Sequence, residues 1–188
     1  MQNSKLQLKT KNFSGFTLIE LIVAIGVFMV VMTITLAAFL NIADIQKKTE
    51  AFRKVNDNLN FAIEAMMREI REGRNYSCSS GDCSLGSGNL TFKNKNEDTV
   101  TYSLNETDKY IQRYVLNADG SEETYQITAS GNSGVTIENL SFIARGIESD
   151  DTEQPIVTIL ISGFTGDKVK LKSELHLQAT VSQRKLDS

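Results

Sequence analysis

Residues 21–43 contain no charged side chain, and the run stops at Asp44. Coiled as a helix, these 23 residues reach roughly 34 Å at about 1.5 Å per residue. The hydrocarbon core of a bilayer is about 30 Å thick. A soluble helix of this length in so small a domain would carry a polar stripe. The apolar part of a secretory signal is shorter and is followed by a small-residue cleavage site. The run therefore reads as a membrane-spanning helix. Charge gives its direction. Lys5, Lys9 and Lys11 precede it with no acid among residues 1–15, whereas the remainder holds 17 of the 20 basic residues and all 23 acidic ones. A basic flank stays on the cytoplasmic side, so the larger acidic part is expected outside.

Past Asp44 the pattern changes. Ile45, Phe52, Val55, Leu59, Ile63, Met66 and Ile70 recur at spacings of three, four or seven, with charged residues largely between them. That spacing is one face of a helix. Gly73 is the first helix breaker, a plausible stop. The membrane helix is thus expected to continue outward to residue 74 as one rod, and its outer stripe needs a cover. Residues 75–89, rich in Ser and Gly, read as a loop. From residue 99 the period becomes two, with strands expected over 99–104, 109–116, 135–145, 156–164 and 168–182. Residues 105–108 and Asp119-Gly120 read as turns. The sum is an α+β chain: a long helix whose outer half packs on a half-buried antiparallel sheet. The expected organisation is a leader at 1–15, a membrane helix at 16–43, an amphipathic extension at 44–74 and a sheet domain at 75–188.

At the head of the apolar run stand Ser14-Gly15-Phe16-Thr17-Leu18-Ile19-Glu20-Leu21. This stretch resembles the leader-peptidase and methylation motif of type IV pilins and type II secretion pseudopilins. The resemblance implies cleavage between Gly15 and Phe16 by a membrane aspartic protease, which also methylates the new amine of Phe16. A small residue before the cut suits close approach by an enzyme. Glu20 is the one charge between Phe16 and Ala43. A carboxylate there is costly in lipid and a functional candidate by default. The resemblance makes its partner the Phe16 ammonium of a neighbouring subunit. A helix-start acid favoured by the dipole is the plainer alternative. The segments LNFAIEAMMREIREGRN at 59–75, Leu140-Ser141-Phe142 and LQATVSQR at 177–184 further resemble minor pilins of the PilW and pseudopilin J kind. Many major pilins carry a proline within the membrane helix. None occurs here, and Gly26 is the single weak point, costing about 1 kcal/mol against Ala.

Other signals are weaker. Cys78 and Cys83, placed outside the membrane, can close one bridge; two cysteines alone make no zinc site. The acidic residues of 148–153 lack the Gly-bearing ligand spacing of a Ca²⁺ loop. His176 sits on a strand with Glu174 and Gln178 and is expected to face out. No Ser/His/Asp set, phosphate loop or basic nucleic-acid footprint is present in the sequence. No enzyme activity, cofactor or nucleic-acid partner is expected. The reading is a structural filament subunit anchored once in the inner membrane, then incorporated into a pilus or pseudopilus. Its expected partners are the prepilin peptidase and methyltransferase, other pilins or pseudopilins and the membrane assembly platform. A membrane-anchored binding protein, using the helix only as a tether, is the competing reading. A tether has no need of Gly15, Phe16 and Glu20.

Overall fold

The computed structural model describes residues 15–129, 134–148, 153–165 and 172–184. Residues 1–14 of the leader, with its lysines, and residues 149–152 of the acidic stretch lie outside them. The chain divides into two compact units, Met1–Asp44 and Ile45–Ser188.

Helix α1 runs from Leu18 to Glu72. In the first unit its side chains are exposed, and none of its most apolar 18-residue window is buried. A helix that is apolar all round and uncovered has the length and composition to cross a membrane.

In the second unit the outer part of α1 buries Val55, Leu59, Ala62, Ile63, Met66 and Ile70. These fall at helical spacing and form one core cluster with apolar residues from two antiparallel sheets. The expected stripe is therefore shorter than its pattern suggested. Ile45 is 64% exposed and Phe52 is 46% exposed, because the buried face begins only at Val55. Ala62, small enough to escape a hydrophobic tally, is fully buried in their stead.

The sheet domain holds two sheets, where the alternation pattern suggested one. The first has the order β1-β2-β3-β4-β5, with β1 at Arg74–Ser77, β2 at Asn89–Lys93, β3 at Thr99–Asn105, β4 at Tyr110–Leu116 and β5 at Glu122–Gln126. The second has the order β6-β7-β8, with β6 at Thr136–Arg145, β7 at Ile156–Thr165 and β8 at Ser173–Ser182. The expectation of a loop over 75–89 is corrected: β1 enters it, and a 3-10 turn forms at Cys83–Leu85. β5 stands where no strand is expected after the Asp119-Gly120 turn, because all five of its residues are exposed and no buried face marks it. The start of the expected last strand, residues 168–171, lies outside the described residues.

The helix stop is built by several groups. Gly73 follows Glu72, and a Cβ at Gly73 would stand 2.5 Å from Cδ2 of Phe92. The Tyr76 hydroxyl lies 2.6 Å from the Ile70 carbonyl and 2.8 Å from that of Gly73, offering its one proton to these helix-end acceptors. The Arg184 amide donates to the Arg71 carbonyl at 2.8 Å.

Candidate processing and assembly site

The head of α1 is organised by Thr17. Its Oγ1 accepts the Glu20 amide at 3.3 Å, and its carbonyl accepts the Leu21 amide at 3.2 Å. Thr17 is thus the N-cap, satisfying one of the first-turn donors that a helix leaves without partners. Thr17-x-x-Glu20 has the residue types of a capping box, a signal present in the sequence. The cap engages the backbone of Glu20 and leaves its carboxylate at the surface, with no ion pair to it found among the described residues.

Phe16, immediately before the cap, is 85% exposed. A Cβ added at Gly15 would meet nothing within 4 Å. Nothing in the described fold therefore demands glycine at position 15. The same test finds open space at Gly26, where Gly adds only backbone freedom to the helix.

Gly15, Phe16 and Glu20 thus sit within one short exposed stretch at the helix start. Residues 10–36 match the family model described as the prokaryotic N-terminal methylation motif. The chain carries the prepilin-type signature of type IV pilins and pseudopilins. That signature implies processing by prepilin peptidase and assembly with other pilins, and it fits a membrane-anchored, pilin-like role. No curated protein and no solved structure matches the chain.

Three further features of this pilin-like chain lie in the second unit. Cys78 and Cys83 are joined, with Cα atoms 5.5 Å apart. His176 is exposed on β8, its Nε2 3.1 Å from Oε1 of Glu174.

The third feature is a polar cluster that sequence reasoning missed. Tyr102 on β3 and Arg113 on β4 are directly opposite in register. Both reach Glu69 on α1. Arg113 donates from Nη2 to Oε1 at 2.5 Å and from Nε to Oε2 at 2.8 Å, and the Tyr102 hydroxyl donates to Oε2 at 2.6 Å. Burial alone would raise the Glu69 carboxyl. Hydrogen bonds from Arg113 and Tyr102, with the guanidinium charge, outweigh it and hold the carboxyl below its usual range. Burial and the Glu69 carboxylate push Tyr102 far up. The group is a bidentate clamp between helix and sheet. Its members lie 33 and 44 residues from Glu69, so no local pattern could announce it.

Proposed function

We propose that this chain is a structural subunit, of the minor kind, of a type IV pilus or type II secretion pseudopilus. In this reading it is cut between Gly15 and Phe16, methylated on Phe16, and assembled through α1. The observation that carries the proposal is the methylation motif at residues 10–36 directly heading an uncovered apolar helix. An apolar surface of that extent needs a second environment. Lipid supplies it before assembly, and the helices of other subunits supply it afterwards.

Glu20 gives the helix a way to register against a neighbour. Cutting after Gly15 removes the leader lysines and leaves one new cation at Phe16, four residues from Glu20. In a low-dielectric filament core, that ammonium and the Glu20 carboxylate of an adjacent subunit would satisfy one another. The minor assignment rests on the resemblance of residues 59–75 and 177–184 to such subunits.

Glu20→Ala tests the pairing. Insertion should be unimpaired, since a charge is removed from the apolar segment. Assembly should fail, because losing one member of a buried pair typically costs about 3–5 kcal/mol. Glu20→Asp should be intermediate. The measurement is recovery with sheared filaments at equal membrane levels, alongside mass spectrometry of the mature N-terminus. Wild-type incorporation of Glu20→Ala would show that the carboxylate serves only the helix start. A mature chain beginning at Met1 in a peptidase-active strain would end the prepilin reading. Counting copies per filament tests the minor assignment.

A further inference from the structure

The disulfide sits at the junction of the two sheets. The segment between β1 and β2 carries Cys78, the 3-10 turn Cys83–Leu85 and then Gly86 and Ser87. Cys83 is buried, at 2% exposure, and belongs to the common core. Gly86 has φ +93°, and a Cβ there would lie 3.1 Å from Oγ of Ser141 on β6. The next residue forms an isolated antiparallel bridge to β6. Ser87 N–H donates to the Phe142 carbonyl at 2.9 Å, and Phe142 N–H donates to the Ser87 carbonyl at 2.8 Å. A segment leaving the five-stranded sheet thus acts as a short extra strand on the three-stranded one.

The approach to that bridge is stiffened at each step. Asp82 Oδ1 accepts the Ser84 amide at 2.8 Å, capping the turn. Asn89 Oδ1 takes the Ser79 amide at 3.1 Å and the Ser87 hydroxyl at 3.0 Å. The disulfide ties the entry of this loop to Cys83, four residues before Ser87. A cross-link narrows the freedom of the segment it closes, here Cys78–Cys83, and so fixes the start of the short stretch that runs on to the bridging residue Ser87.

We propose that the Cys78–Cys83 disulfide is a redox-set joint between the sheets. With the bond formed, the turn is held in the core and Ser87 is locked to Phe142. With the bond opened, this end of the interface lets go. The far end of β6 keeps a separate tie, the Ile137 amide to the Lys109 carbonyl at 2.9 Å. Opening is therefore local.

The sulfurs differ in access, since Cys78 is half-buried while Cys83 is buried. A thiolate of a small dithiol attacks Sγ of Cys78, and the S–S bond breaks with its electron pair leaving on Cys83, which takes a proton. The reagent's second thiolate then displaces Cys78 from the mixed disulfide and closes the reagent into a ring disulfide. Two electrons pass to the protein, and the reagent is oxidised. In the reverse direction an oxidising disulfide outside the cytoplasm sets the joint, which for compartment alone rests on the membrane reading above.

The test is hydrogen exchange on the full-length chain in detergent, before and after dithiothreitol, with the double variant Cys78→Ala/Cys83→Ala as a second route to the open state. Exchange at Ser87 and Phe142 should accelerate roughly ten- to fifty-fold, in line with the freedom returned to a short closed loop. Exchange at Ile137 and along the β3–β4 hairpin should hold. Unchanged protection at Ser87 and Phe142 in the double variant would overturn the proposal. So would an equal loss across the domain, which would mark the bond as a general stabiliser.

Discussion

At the scale of single residues, Glu69 has the clearest consequence. Its folded carboxyl titrates below the ordinary value of 4.5. A depressed carboxyl adds stability that is fully present above its unfolded pKa and disappears as pH falls through the folded one. Glu69→Gln should therefore destabilise the sheet domain at pH 7, by about 1–3 kcal/mol for a clamp that is only partly buried. The gap to wild type should close as pH drops below about 4.5, because the native carboxyl protonates as well. Thermal melts of both chains from pH 7 to pH 3 check this. A gap independent of pH would mean that the clamp acts by shape alone. The methylation motif was legible in the sequence because its residues are contiguous. Thr17 was legible in principle through its spacing to Glu20. The clamp was not, because sheet register, which local pattern does not give, brings Tyr102 and Arg113 to the same acid.

At the scale of elements, the two sections of α1 follow different rules. Spacing correctly marked Val55 to Ile70 as a buried stripe, yet it extended that stripe through Ile45 and Phe52, which are 64% and 46% exposed. Periodicity reports which face is apolar but not where the cover begins. Leu59→Ala should cost about 2–5 kcal/mol, as for a deep core truncation. Phe52→Ala should cost less than about 1 kcal/mol, since the ring is nearly half exposed. Denaturant unfolding of the two variants in one detergent separates these outcomes. Equal losses would show that Phe52 is covered in solution. The longer strands from residue 99 on were found from alternation, whereas β1 and β2 were not, although Tyr76, Leu90 and Phe92 are buried, because segments of four and five residues give too few alternations to count; nor was β5, whose exposed Glu122-Glu123-Thr124-Tyr125-Gln126 has polar residues at both alternating positions.

At the scale of the whole molecule, the α+β class was readable and the division into two sheets was not. Both sheets use the same period of two, and each supplies residues to the same core. Only the strand pairing, β1 to β5 in one sheet and β6 to β8 in the other, separates them. The core also depends on late residues. Val181 on β8 is buried in it, and Ser173 Oγ donates to the Lys48 carbonyl at 3.3 Å across 125 positions. A chain stopped after residue 172 should therefore lack the protease resistance of the full chain. If it resists equally, β8 is an ornament on a finished core.

The clip between the Arg184 amide and the Arg71 carbonyl has a consequence in time. Synthesis runs at about 5–20 residues per second, and Arg184 follows Arg71 by 113 positions. For several seconds the helix therefore exists without the strand and the amide that complete its surroundings. A contact between such distant positions forms slowly in any case. The second unit cannot finish its core until nearly all of it has been made. In the topology proposed above, with this unit on the far side of a membrane, it would remain threadable for most of its passage and close after β8 arrives.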